Sequence, residues 1–257
     1  MTFRCIILLA WLTLAWSTIA IASQSPRDTL NTCIASSYHK KVPTPEQDLV
    51  ECKPWKARSC CTPATVKELS LTANQVLYNF RWDHCGNLSS QCYRYMVQDS
   101  CFYECSPNVG PWIVNASSSR RSERFMHVPI CASFCDNWFA ACENDKTCSG
   151  DWRYDWKWIN RSNHCKANNT CKTFGQIFKT SKGFCEGLWH YSFKYQSDDK
   201  PCMKPWFETA ANPNSDVAKY YHNINAAQSS TLASSYLLLI IGFLVMHLST
   251  NNMSTML

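Results

Sequence analysis

The stretch SQCYRYMVQDSCFYEC, residues 90–105, decides the fold. Cys92, Met96, Asp99 and Tyr103 recur there at i, i+4, i+7 and i+11, so they share one face of a helix over Ser90–Glu104, with Cys101 and Cys105 tying its end. A second helix is predicted over Cys131–Glu143, where Cys131, Cys135, Trp138, Phe139 and Cys142 form one face and Asp136, Asn137 and Glu143 the other. A third, short helix is expected after Asn212-Pro213-Asn214, capped by Asn214 or Ser215 and running through Val217, Tyr220 and Tyr221. Elsewhere the period changes to two. Tyr78, Phe80 and Trp82 would project from one face of an extended strand, and Trp156 and Trp158 repeat the arrangement. Helices, short strands and long loops rich in Asn, Ser and Pro together make an α+β fold.

Cysteine usage sets the compartment. The 257 residues include 17 Cys beside 11 Trp, 11 Tyr and 12 Phe, a composition that excludes disorder and marks a chain oxidised in the secretory pathway. Zinc is the competing use of so many thiols, but no C-x-x-C pair occurs and adjacent Cys60 and Cys61 are poorly placed to ligate one ion, so no metal site is expected. From Cys33 to Cys202 the cysteines leave no gap that would mark a linker, which reads as one domain. Spacing alone leaves their pairing open.

Both ends read as processing signals. Residues 1–22 form a signal peptide, with a basic start, an apolar run from Ile6 to Ala15 and small Ala20 and Ala22 before the cut; Cys5 leaves with it, so sixteen cysteines remain. At the other end, Asn225-Ala226-Ala227 is followed by a polar spacer to Ser235 and an apolar run from Tyr236 to Leu248. That run is short for a bilayer-spanning helix, and the layout fits a glycosylphosphatidylinositol (GPI) signal with Asn225 accepting the anchor and 226–257 removed. The nine mostly polar residues from Ser249 to Leu257 are atypical of such a tail. The mature domain would span 23–225. Asn87, Asn115, Asn160 and Asn168 head N-x-S/T sequons and are expected to carry glycans on exposed loops.

The net charge of +6 is scattered rather than blocked, which disfavours nucleic acid as a partner. There is no G-x-S-x-G, H-E-x-x-H, P-loop or G-x-G-x-x-G, and with every mature thiol assigned to a disulfide no nucleophilic Cys is left, so the chain reads as a binder rather than an enzyme. Asp99 stands out, because a carboxylate on an inward helical face is costly unless something donates to it. Either an internal Arg pairs with it, or it awaits a ligand with paired N–H donors held between aromatic plates. Arg120, Arg121 and Arg124 could supply donors to such a ligand's acceptors.

The segments Cys52-Lys-Pro-Trp55, Cys60-Cys61, Tyr78-Asn-Phe80-Arg-Trp82-Asp-His84-Cys85-Gly86, Gln98-Asp99-Ser-Cys101, Tyr103-Glu-Cys105-Ser-Pro-Asn-Val-Gly-Pro-Trp112, Trp156-Lys-Trp158, Trp206-Phe207 and Asn212-Pro-Asn214 resemble the folate receptor family. The likeness runs from about Cys33 to Tyr221. It implies a single disulfide-rich domain with eight bridges: Cys33 with Cys60, Cys52 with Cys101, Cys61 with Cys105, Cys85 with Cys171, Cys92 with Cys142, Cys131 with Cys202, Cys135 with Cys185, and Cys148 with Cys165. It further implies high-affinity capture of folate and reduced folates such as 5-methyltetrahydrofolate, with no catalysis and no cofactor, at a GPI-anchored cell surface that cycles through endosomes. Asp99 matches the carboxylate that pairs with the pterin ring, and Tyr78 and Trp189 match the residues that sandwich it. Phe80 and Trp82 line the same pocket, while Arg121, Arg124 and Ser192 match polar contacts to the pterin edge. Trp156 matches a plate for the aminobenzoate ring, and Trp158 lies where the glutamate tail is contacted.

The departures gather at the mouth. Arg120 stands where mammalian receptors have a stacking Trp, Arg153 where they have His and Tyr154 where they have Lys; a guanidinium both stacks and pairs with carboxylates, so Arg120 can replace plate and charge together or shift the preferred folate. Relatives of the fold also include Juno-like egg-surface adhesion receptors, which lack the pterin-binding Asp, and riboflavin binders. Asp99 with Arg121 and Arg124 favours ligand capture. Asp99, His84 and His127 are the candidate groups for release of ligand by acid.

Overall fold

The computed structural model describes residues 29–69, 77–118 and 121–253. The signal peptide and Arg120 lie outside the described residues. Helix α1 spans Pro63–Lys67, where Thr62 caps by accepting from the Thr65 amide. Helix α2 spans Ser90–Cys105, one residue beyond the sequence reading, with Ser89 as its capping acceptor. Of the face that the periodicity assigned inward it buries Cys92, Met96 and Asp99 and leaves Tyr103 half-buried, and it buries Cys101 and Phe102 as well. A hairpin follows, β1 (Ile113–Ser118) antiparallel to β2 (Arg121–Phe125), and then β3 (Val128–Cys131) leads straight into α3 (Ala132–Cys142). Strand β4 (Lys146–Thr147), the hairpin β5 (Lys157–Ile159) and β6 (Ser162–His164), and β7 (Lys172–Thr173) precede α4 (Phe174–Phe178) and α5 (Ser181–Gly187). Strand β8 (Phe193–Gln196) and α6 (Asn214–Met253) complete the order.

Strands this short cannot build one sheet. Among the described residues they form four two-stranded pairs: β1–β2, β3–β8, β4–β7 and β5–β6, of which β3–β8 is parallel. The core is instead helical and aromatic. Phe102 of α2 meets Trp55, Phe125 and Phe193, while Trp138 of α3 stands edge-on to Phe184 of α5 at 4.9 Å. Each fully buried aromatic contributes roughly 2–3 kcal/mol. The sixteen cysteines form the eight bridges expected from the resemblance, pair for pair. They close loops of 17 to 86 residues, which in the chain-entropy account stabilises the fold by about 3–4.6 kcal/mol per bridge.

Three expectations need correction. Tyr78, Phe80 and Trp82 do not lie on a strand: Leu77–Asn79 is a 3₁₀ turn in which Tyr78 and Asn79 have φ of 67° and 56°. The final helix is not short, since it continues unbroken from Asn214 to Met253 through Asn225. Nor does Asn214 cap it. Its side chain, fully buried, accepts from Lys204 N at 2.7 Å and donates to Lys204 O at 2.9 Å, while Asn212 Oδ1 takes the Asn214 amide. Asn214→Ala is therefore expected to destabilise by about 1–2 kcal/mol, lowering the unfolding temperature by a few degrees in a calorimetric scan. Asn87, Asn115, Asn160 and Asn168 are all exposed, three in loops or turns and Asn115 on β1. No helix among the described residues is long and apolar enough to cross a membrane.

Candidate functional site

Helix α2 forms one wall of a cavity of about 380 Å³, whose other walls come from the Leu77–Asn79 turn, strand β2, the turn at 151–154, Trp158 and the segment 189–193. Asp99 is 3% exposed within it. Trp189 donates its indole N–H to Asp99 Oδ2 at 2.8 Å, whereas Oδ1 has no hydrogen-bond partner among the described residues. The internal Asp–Arg pair that the sequence left open is therefore not what holds this carboxyl. Burial pushes Asp99 up to about 8, against the pull of the Trp189 N–H, and neighbouring Glu104 adds to the rise.

Arg124 is 5% exposed, and its Nη2 donates to Trp189 O, His190 O and Ser192 Oγ at 2.8–3.0 Å; Ser192 Oγ in turn donates to Trp189 O. Consecutive positive φ values at His190 and Tyr191 make this sharp return possible, bringing Trp189 and Ser192 to the same cavity. Arg121 donates to Tyr103 OH at 2.8 Å and lies 4.3 Å over the Tyr78 ring. At the rim, Asp151 Oδ1 accepts from the amides of Arg153 and Tyr154, an Asx turn that sets Arg153 against the cavity and leaves Tyr154 exposed. Among the described residues no carboxylate comes within ion-pair distance of Arg121, Arg124 or Arg153. Three guanidinium groups without a direct ion pair thus stand around the largely neutral Asp99, with the buried Glu104 carboxyl acting on Arg121, and the excess positive field attracts anions.

Of the expected site residues, Tyr78, Phe80, Trp82, Asp99, Arg121, Arg124, Arg153, Trp158, Trp189 and Ser192 line this cavity. Trp156 does not. Its ring is 6% exposed and edge-on to Phe80 at 5.4 Å, and its N–H donates to Trp152 O, so it backs the wall. Of the two tryptophans expected on one strand only Trp158 lies on β5, Trp156 preceding it, and both rings meet Phe80 at different depths. Sequence reasoning missed Trp152, whose ring stands 5.5 Å from both Phe80 and Trp189, because a lone Trp in a loop has no period to mark it. It also missed Glu104, 2% exposed in the wall, which was read only as the end of a helix. His84 sits behind the lining, edge-on to Trp156 at 4.5 Å with its pKa lowered by burial, and His127 is exposed away from it.

Residues 32–204 match the folate receptor family. Human folate receptor gamma is 42% identical over 221 residues, covering 84% of this chain and 90% of that protein. Human folate receptor alpha is 35% identical over 226 residues, covering 86% and 88%. The riboflavin-binding protein of Dromaius novaehollandiae is 33% identical over 174 residues, covering 67% and 70%. Matched over most of its length and carrying eight bridges, the chain belongs to the folate receptor family.

Proposed function

We propose that this chain is a cell-surface receptor that binds folate and reduced folates, without catalysing a reaction, and delivers them by endocytosis. The observation that carries this reading is the open Oδ1 of Asp99 in an aromatic-lined cavity. A pterin offers an amino group and ring N–H as paired donors to a carboxylate, a flat face to Tyr78 and Trp189, and a carbonyl edge to Arg121, Arg124 and Ser192. The two carboxylates of folate's glutamate suit a mouth where Arg153 and Trp158 stand. Adhesion alone gives no task to that carboxyl. Titration of the protein with folate, 5-methyltetrahydrofolate and riboflavin tests the reading: the two folates are expected to bind tightly and riboflavin weakly, and a preference for riboflavin would move the chain to its flavin-binding relatives.

We further propose that Asn225 accepts a GPI anchor. Supporting this, Tyr236, Leu237, Leu238, Leu239, Ile240 and Ile241 are 48–70% exposed along α6, a continuous apolar surface that a mature soluble chain does not keep. Phosphatidylinositol-specific phospholipase is expected to release the protein from cells, and full retention after treatment would reject the anchor. Glycans are proposed at the four exposed sequons.

A further inference from the structure

Glu104 is the second buried carboxyl of the cavity wall, and the pterin contacts proposed above leave it without a task. Its Oε1 accepts from the Tyr78 hydroxyl at 2.9 Å. Oε2 lies 3.4 Å from His39 Nδ1 and has no hydrogen-bond partner among the described residues. His39 is itself fixed, through Nε2 to Tyr103 O at 3.1 Å and through Nδ1 to Ser36 Oγ at 2.5 Å. Glu104 thus reaches Tyr78 from a framework anchored to the end of α2.

Tyr78 needs such a hold. It occupies the left-handed region, φ 67° and ψ 15°, where a bulky aromatic persists only when its surroundings over-determine it. Arg121 covers the ring and Tyr38 meets it edge-on at 4.6 Å, contacts that resist tilting of the ring more than movement in its own plane. A hydrogen bond at the hydroxyl stops that movement.

We propose that Glu104 is a positioning residue for the ligand, fixing through the Tyr78 hydroxyl the aromatic plate against which the bound ring packs. The inference rests on the folate reading of the cavity. Holding the plate before the ligand arrives removes an ordering cost from binding. Burial raises the pKa of the Glu104 carboxyl, so an amide of the same shape imitates its neutral form and keeps an acceptor for the hydroxyl.

The test is equilibrium binding of tritiated folate to the full chain displayed on cultured cells, normalised to surface amount, for wild type, Glu104→Ala, Glu104→Gln, Tyr78→Phe and the Ala/Phe double variant. Glu104→Ala and Tyr78→Phe are each expected to lose about tenfold in affinity, the double variant to lose no more than the worse single, and Gln to recover most of the Ala loss. Losses that multiply in the double variant, or Tyr78→Phe within twofold of wild type, overturn the inference while leaving the folate reading intact. Should Glu104→Ala fail to reach the surface, Tyr78→Phe alone decides by the same criterion. A wild type that binds no folate overturns the reading and this inference with it.

Discussion

Asp99→Ala is expected to lower folate affinity at least a hundredfold while the protein still folds and reaches the cell surface. The substitution removes a charge-assisted pair and leaves the ligand's donors desolvated opposite a methyl group, together roughly 3–5 kcal/mol, and each 1.4 kcal/mol is tenfold. It also strands the Trp189 N–H that now bonds Oδ2. Asp99→Asn separates the two effects, since the amide oxygen can keep the Trp189 bond but its NH₂ faces the ligand donors as another donor. Both variants are therefore expected to bind poorly, and Asn to match wild type in thermal stability more closely than Ala. An Asp99→Ala protein at normal surface levels with affinity within threefold of wild type would refute this role.

Folate binding is also expected to weaken as pH falls from 8 to 5. Asp99 in the empty cavity sits at about 8 because burial disfavours its charge. A ligand that donates N–H groups to it favours the ionised form and lowers the value in the complex. Affinity is then full above about 8 and is lost as pH drops toward the value of the complex, at up to a decade per pH unit, on the order of a hundredfold between neutral pH and 5. The sign reverses for the stability of the empty protein, where a carboxyl raised by folding stabilises the fold most at low pH and progressively less as pH climbs from its unfolded value toward 8. His84 is held behind Trp152 and Trp156, and His127 lies outside the cavity, which leaves Asp99 as the principal titrating group there beside Glu104. Binding isotherms of wild type and Asp99→Asn across this range decide the point. A flat wild-type profile would reject acid release, and an equal slope in Asp99→Asn would shift it to another group.

Helices α2 and α3 were legible because their signal is periodic. Ser90–Cys105 and Ala132–Cys142 each repeat apolar residues and cysteines at helical spacing, and their ends fell within a residue or so of the reading. The cavity wall around Tyr78 was not legible as a shape, since nothing in Tyr78-Asn79-Phe80 announces two left-handed residues and alternating aromatics imitate a strand. Its composition survived the error, because an aromatic spaced two along a chain reaches the same neighbourhood from a tight turn as from an extended segment. Depth was harder to read than membership: Trp156 and Trp158 both face Phe80, yet only packing from Trp152 and His84 sends the first behind the wall and leaves the second at the rim. Pairing of the cysteines came from the resemblance, since sixteen thiols on one chain carry no local mark of their partners.

Three of the eight bridges start from α2: Cys92 to Cys142, Cys101 to Cys52 and Cys105 to Cys61. The helix that carries Asp99 is therefore bolted near both ends to three separate stretches of chain, and it cannot retreat to free a captured molecule. Movement that frees a ligand is expected instead in the facing turns, at Leu77–Asn79, at 151–154 and at 189–192, which wall the cavity and are held by ring contacts and hydrogen bonds. How long a ligand stays is then a property of those turns, timed by their local opening, while the floor beneath it keeps still.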